Sequence, residues 1–414
     1  MHALLVSIGT TGNMLPFVGF GEALRARGHQ VTLFGSRPFA EVARRGGLSF
    51  VDLSASEGPR DPLDAEADPA RRGFLATLRK FALRQMERVY RLLAEHRVPG
   101  ETTIAAQGWL FGARLAQEKL GMPLATVHLQ PMMLGSVYDV PGLPRWTPRW
   151  FPRLLRGLVG RYVDRGLVPA LDAFRAELGL PPVGRHVLRW WRSPQLTIGF
   201  FPAWYSAPQS DWPARTLLAG FPLYTPAKAE ADPDLDEFLA DGDPPLIFSQ
   251  ASLVKNAPDY FRTSLAVAER LGRRAVLLTP HRQQVPARLP PGVRRFDFAP
   301  LSRLLPRSAA LVHHGGIGTL GLALAAGVPQ LTVPRLLDQF DNSRRLLRLG
   351  VSAHLRASSY RAAKVARVLR KLLDSAETAE RCRHYAALCR QEKPFEEACR
   401  ALEQLHDRAR DGVA

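Results

Sequence analysis

Ala309-Ala-Leu-Val-His-His-Gly-Gly-Ile-Gly-Thr-Leu-Gly-Leu-Ala-Leu-Ala-Ala-Gly-Val-Pro-Gln-Leu-Thr-Val-Pro-Arg-Leu-Leu-Asp-Gln-Phe-Asp-Asn342 is the stretch that decides the fold. The apolar run Ala309–Val312 breaks into His313, His314, Gly315 and Gly316, and an Ala/Leu-rich helical pattern then runs to Ala326, where Gly327 stops it. This is strand, glycine turn and helix. Glycines let the backbone approach a ligand, and the N–H groups at Gly316, Gly318 and Thr319 stand at the positive end of the helix dipole, where a phosphate is held. His313 adds a donor for phosphate oxygens. The next strand, Gln330–Val333, delivers Asp338 and Gln339 on a loop beyond Pro334 and Arg335, with groups suited to sugar hydroxyls. Gly316, Gly318 and Gly321 with Asp338 also match a dinucleotide fingerprint, but there the acid ends the second strand itself. The pattern therefore favours a sugar nucleotide over a nicotinamide.

Working outward, Leu246–Ser249 opens an alternating strand and helix series that continues through Ala275–Leu278, Val293–Phe298, Ala310–His313 and Gln330–Val333. Ser249, Gln250 and Ser252 follow its first strand, which puts hydroxyl and amide groups at the same carboxyl edge. Pro226–Pro245 reads as a hinge, with a short helix at Leu235–Ala240. Upstream lies a second series. Leu4–Ile8 is a buried strand, Gly9–Asn13 a turn, and a helix runs to Arg27 before the strand Val31–Phe34. Asn13 fits the N-cap of that helix. Ala55–Arg71 reads as a loop, Phe74–Glu95 as a long helix, Thr102–Ala106 and Pro123–Leu129 as strands and Phe111–Leu120 as a helix. His128 falls near the carboxyl end of its strand, where it is a candidate general base.

Between Val140 and Leu180 the period is helical. Trp150, Phe151, Leu154, Leu155, Leu158 and Tyr162 fall at helical spacing among Arg153, Arg156, Arg161 and Arg165. The plain expectation is a helix covering the domain core. The sharper one is an apolar acceptor pocket, with Met132, Met133 and Trp146, or a basic face for a membrane.

At 414 residues the chain suits two domains: 1–225, a linker 226–245, 246–390, and a C-terminal helix 391–414. The net charge of +18 is spread over scattered arginines without a run of five or more like charges interleaved with aromatics. That pattern fits a solvated surface or attraction to an anionic membrane rather than nucleic acid. Cys382, Cys389 and Cys399 show no pairing or zinc spacing, which points to a reducing compartment. With no signal-like N-terminus and no apolar span of the length a membrane helix needs, the expected location is the cytoplasm or the inner membrane face. No His/Cys/Asp/Glu cluster has metal-ligand spacing, so no metal or other cofactor is expected.

The His-His-Gly-Gly-Ile-Gly-Thr turn, Ala-Gly-Val-Pro and Asp-Gln-Phe-Asp-Asn together resemble the donor signature of nucleotide-sugar glycosyltransferases of GT-B architecture. Met1–Phe20, Gly112–Pro123, Phe200–Trp212 and Leu218–Tyr224 resemble the bacterial rhamnosyltransferase catalytic chains of rhamnolipid synthesis. The resemblance implies an α/β fold of two Rossmann-like doubly wound parallel-sheet domains facing a cleft, the first binding acceptor and the second nucleotide sugar. It also implies that the C-terminal helix, about Lys393–Arg408, returns to the N-terminal domain. Phe298 stands where the family places an aromatic on the base. Leu301 replaces the Gln of many uridine-diphosphate-using relatives, which favours dTDP-rhamnose over a UDP-sugar. The implied reaction is inverting, metal-independent transfer to a hydroxyl of a lipid, 3-hydroxyacyl type, or other apolar acceptor.

One departure stands out. Where the resembled enzymes carry Asp after the first turn, or His two positions earlier, this chain has Asn13 and Thr11. An amide orients a hydroxyl but cannot take its proton, so His128 becomes the substitute base. The alternative is a catalytically weak homologue that binds donor or serves as an accessory partner.

Overall fold

The computed structural model describes residues 1–53, 75, 78–140, 143, 147–148, 150–226, 233–250, 258–335 and 337–412. Two units result, Met1–Tyr224 with Lys393–Ala414 and Thr225–Glu392. The chain is α/β, with one all-parallel sheet in each unit.

In the first unit the strands are β1 His2–Val6, β2 Gln30–Gly35, β3 Ser49–Asp52, β4 Thr102–Gln107, β5 Leu124–His128, β6 Leu196–Gly199 and β7 Thr216–Leu218. Their order is β3-β2-β1-β4-β5-β6-β7, so the winding reverses between β1 and β4. In the second unit β8 Leu246–Ser249, β9 Ala275–Leu278, β10 Val293–Phe296, β11 Ala310–His313, β12 Gln330–Thr332 and β13 Ser352–His354 lie in the order β10-β9-β8-β11-β12-β13. Here the reversal falls between β8 and β11. In open parallel sheets such reversals open a crevice at the carboxyl ends of the strands.

Continuous apolar strands follow from burial on both faces. Leu246, Phe248, Ala275, Leu277, Ala310 and Val312 enter one core with Tyr260, Phe261, Val365 and Leu369. The alternate residues Ile247, Val276 and Leu311 enter the opposite core with Leu304 and Ala323. The helix Pro233–Ala240 adds Leu235, Phe238 and Leu239 to that second core, so this part of the expected hinge is an integral element of the unit.

The helix Pro394–Arg410 packs on the first unit. Phe395 meets Phe200 edge-on at 6.0 Å, His406 Nδ1 lies 3.0 Å from Thr103 Oγ1, and Glu403 accepts from Arg27 Nε at 2.7 Å and pairs with His29 Nε2 at 2.8 Å. The Arg27 hydrogen bond, with help from His29, depresses the Glu403 carboxyl to about 2.

Four strands escape the periodicity: β3, β6, β7 and β13. All are three or four residues long. The helix expected from Phe74 divides into a π-helical turn at Arg79–Leu83 and the helix Met86–Glu95, and the loop Ala55–Arg71 lies outside the described residues. Among the described residues no helix is long and apolar enough to cross a membrane. The three cysteines are free and buried.

The 28-residue helix Trp150–Glu177 corrects the expectation of a simple core cover. Its core residues are Val163, Leu167, Leu171 and Phe174, whereas Trp150, Phe151, Leu154, Leu158 and Tyr162 are exposed.

Candidate functional site

In the second unit the glycine turn stands at the reversal between β8 and β11. Gly315 has φ +90°, a left-handed conformation that glycine adopts without strain, and a Cβ there would come 3.1 Å from the Gln339 carbonyl oxygen. Gly316 caps the helix Ile317–Ala326, whose first turn holds no acidic residue and whose cap makes no side-chain hydrogen bond. The leading N–H groups through Thr319 are therefore left for an anion, with Gly318 exposed.

The turn is braced from both sides. The Gly315 N–H donates to His313 Nδ1 at 3.2 Å, and Asn342 Nδ2 donates to the Gly315 carbonyl at 3.0 Å. Because Nδ1 accepts, the ring proton sits on Nε2 and is directed to Gln330 Oε1, 3.0 Å away. Burial, with the neighbouring His314, lowers the His313 imidazole to about 3, so it stays neutral.

This geometry corrects the direct phosphate contact expected of His313. Its side chain is 1% exposed and both ring nitrogens are engaged, so it acts by fixing the turn. Pleating explains the outcome, since His313 follows Leu311 to the side of the sheet away from Val312. His314 lies over the helix terminus, where a Cβ on Gly316 would come 2.4 Å from its Nε2. Burial lowers this imidazole to about 4.

Asp338 and Gln339 do not lie on a loop; they occupy the first turn of the helix Leu337–Leu349. Gln339 is 5% exposed and its Oε1 accepts from the Arg335 N–H at 2.8 Å, a local brace rather than a free sugar ligand. Asp341 is buried against Arg345 Nε at 2.9 Å and Arg344 at 2.7 Å. The motif thus works largely as scaffold, with Asp338 half-buried at its head.

Tyr260 ties the edge together, its hydroxyl directed to the Val312 carbonyl at 3.1 Å and the Ser249 carbonyl at 3.3 Å. Ser249 and Gln250 are half-buried beside it, and Ser252 lies outside the described residues. Phe298 is neither in a strand nor in a core: β10 ends at Phe296 and the ring is 69% exposed. Sequence reasoning passed over Gln330, Arg335 and Asn342. The three-residue spacing of Gln339 and Asn342 puts both on one helix face, a signal that could have found the second. Arg335, exposed two residues beyond the Val333 N–H that donates to the His313 carbonyl at 2.8 Å, brings a cation to this edge.

In the first unit Ile8 N–H donates to Gln107 Oε1 at 3.0 Å and Gly9 N–H to Ser36 Oγ at 3.3 Å. Gly9 has φ +133°, and a Cβ there would come 2.2 Å from Asn13 Nδ2, so the Asn13 amide lies against the Gly9 backbone. The cap of the helix Thr11–Ala26 is Thr10; Asn13 is the third helical residue and not the N-cap, because the turn is completed at Gly9 and Thr10. Thr11 is exposed, and no atom stands within 4 Å of a Cβ placed on Gly12.

His128 ends β5 as expected but is 3% exposed, and its ring packs so closely on Gly108 that a Cβ there would meet Cε1 at 2.6 Å. Burial, with the charge of Arg192, lowers the imidazole to about 3. A buried ring of such low basicity is a poor general base, which corrects that expectation. Met132 is half-buried, Met133 packs partly into the core, and Trp146 lies outside the described residues.

Residues 3–139 match the Glycosyltransferase family 28 N-terminal domain, and residues 265–404 match the C-terminal domain of Erythromycin biosynthesis protein CIII-like chains. The chain is 29% identical over 435 residues to O-mycaminosyltylonolide 6-deoxyallosyltransferase of Streptomyces fradiae, covering 98% of this chain and 97% of that one. The glycotransferase of kitacinnamycin has the same fold, with TM-score 0.75, 19% identity and 98% of each chain covered. A Streptomyces sp. SF2575 glycosyltransferase complexed with thymidine diphosphate superposes with TM-score 0.64 at 20% identity, covering 98% of this chain and 99% of that one. Two doubly wound sheets, an anion-ready glycine turn in the second and these matches across both identify the chain as a glycosyltransferase of GT-B fold.

Proposed function

We propose that the chain transfers a 6-deoxyhexose, rhamnose first among them, from its dTDP derivative to a hydroxyl of an apolar acceptor of the 3-hydroxyacyl type. The observation that carries this reading is the turn Gly315–Thr319, braced at Gly315 by His313 and Asn342 and leaving the N–H groups of Gly316 to Thr319 open. The Streptomyces fradiae relative is named for transfer of a 6-deoxyhexose, and the SF2575 structure holds thymidine diphosphate. Exposed Phe298 supports stacking on the base, and Leu301 in place of Gln favours thymine over uracil.

In the proposed reaction the acceptor oxygen attacks the anomeric carbon as the bond to the diphosphate breaks, inverting that centre. The leaving group takes the electron pair and the acceptor proton passes to water, since neither Asn13 nor the buried His128 can take it. The helix terminus at Gly316–Thr319 and the cation of Arg335 balance the charge of the departing diphosphate without a metal. Asn13 orients the acceptor hydroxyl, and Thr11 and Met132 contact the acceptor. The second reading, a donor-binding homologue with little turnover, is favoured by Asn13 itself, which has no proton affinity to offer.

The test is a panel of dTDP-rhamnose, another dTDP-6-deoxyhexose and UDP-glucose against a 3-hydroxyacyl acceptor, with products identified by mass spectrometry. Rhamnosylated acceptor supports the first reading. Donor binding without transfer to any acceptor supports the second, and transfer from UDP-glucose alone overturns the donor assignment.

A further inference from the structure

Eleven large apolar side chains are exposed among the described residues, and six of them, Trp150, Phe151, Leu154, Leu158, Val159 and Tyr162, lie on the first turns of the helix Trp150–Glu177. Trp150, Leu154, Leu158 and Tyr162 are four apart, so they form one slowly winding stripe. The opposite side carries Pro152 and Val163, which are buried. Trp150 is 63% and Tyr162 61% exposed. Gly157 and Gly160, set between the stripe residues, have no atom within 4 Å of an added Cβ, so among the described residues nothing covers the helix there.

Arg153, Arg161 and Arg165 are exposed on the same turns, whereas Arg156 is committed to Asp211 at 2.8 Å. Aromatic residues at the ends of an apolar stripe with arginines alongside are the pattern of a helix that lies in a lipid interface. The chain's net charge of +18 adds attraction to an anionic surface. A second copy is a poor occupant, since a symmetric pairing of the stripes would set the arginines of both copies against one another.

We propose that this helix docks the protein on an anionic lipid bilayer, with Trp150, Leu154, Leu158 and Tyr162 entering the headgroup boundary and Arg153, Arg161 and Arg165 meeting lipid phosphates. The inference does not depend on which sugar or acceptor the enzyme uses. Flotation of the full chain with phosphatidylcholine vesicles, with and without phosphatidylglycerol, tests it.

The parent protein should float with the mixed vesicles at low salt and be released by high salt. Trp150→Ser/Leu154→Ser/Leu158→Ser should reduce the partition coefficient at least about tenfold with an unchanged thermal midpoint, since these side chains cover no core. Leu158→Glu alone should act in the same direction. Arg153→Gln/Arg161→Gln/Arg165→Gln should abolish the preference for phosphatidylglycerol. No flotation of the parent, equal flotation of the parent and both stripe variants, or a concentration-dependent dimer lost in those variants would each overturn the proposal.

Discussion

Lowering the pH from 7 to 5 should destabilise the first unit through His128, and the magnitude follows from where its proton goes. The imidazole titrates at about 3 when folded, against an ordinary value of 6.5, because burial and the adjacent Arg192 charge oppose protonation. The unfolded chain therefore binds the proton first. His128 imposes no penalty well above pH 6.5, and stability is lost as the pH falls from there towards 3. Linkage at 1.36 kcal/mol per unit gives a loss of about 1.9 kcal/mol between pH 7 and pH 5 for this one group, and the figure barely changes if the folded value is as high as about 4.

All seven tryptophans lie between Trp109 and Trp212, so tryptophan fluorescence during urea unfolding reports the first unit alone. His128→Gln, which cannot titrate, should shrink the difference between pH 7 and pH 5 by about 2 kcal/mol relative to the parent. If both proteins lose the same stability over that interval, His128 is not a buried neutral group. The same variant should retain turnover; a loss exceeding about a hundredfold at pH 7 would restore the ring to the role of base.

His313→Ala should lower the thermal midpoint of the second unit together with donor affinity, because the ring braces Gly315; calorimetry showing weaker nucleotide binding with an unchanged midpoint would mean a direct phosphate contact instead. Gly315→Ala should cost about 1–3 kcal/mol by forcing a side chain to φ +90°, read from the same calorimetric transition. A midpoint within error of the parent would show that the turn does not need that conformation. Asn13→Asp should raise the turnover number at least about tenfold with donor affinity unchanged, since a general base contributes roughly 10²–10⁴-fold and an acidic residue suits the first turn of a helix. Steady-state kinetics finding no gain would separate residue 13 from proton transfer.

The donor half of the site was legible because its signals are local. A strand buried on both faces must be apolar throughout, a turn at positive φ asks for glycine, and a helix terminus supplies its own donors. Those constraints put Gly315, Gly316 and Thr319 on the turn and first helical residues after a strand, and the structure has them there, at the reversal of the second sheet. What they could not supply was the direction of individual side chains. His313 and His314 are neighbours at a strand end and point to opposite sides, so a single step of the pleat exchanges the structural ring for the one over the helix terminus. Gln339 was misjudged for a related reason: the helix starts at Leu337, two residues before it, and turns its amide back to the Arg335 N–H.

The acceptor half was less legible because its decisive fact is burial, which no motif encodes. His128 satisfies every local expectation of a base, with the right residue type at the carboxyl end of a strand, yet the absence of a side chain at Gly108 lets the ring sink into the sheet edge. Asn13 is displaced in the other direction. Completion of the turn at Gly9 and Thr10 releases it from capping and lays its amide on the backbone that a basic residue would have to adjoin. The two candidates therefore fail as bases for different reasons, since burial takes both access and basicity from His128 whereas the amide of Asn13 has no basicity to lose. Carboxylate chemistry at position 13 is the smallest change that supplies both, which is why turnover of Asn13→Asp bears more directly on this enzyme's mechanism than the loss of any residue it already has.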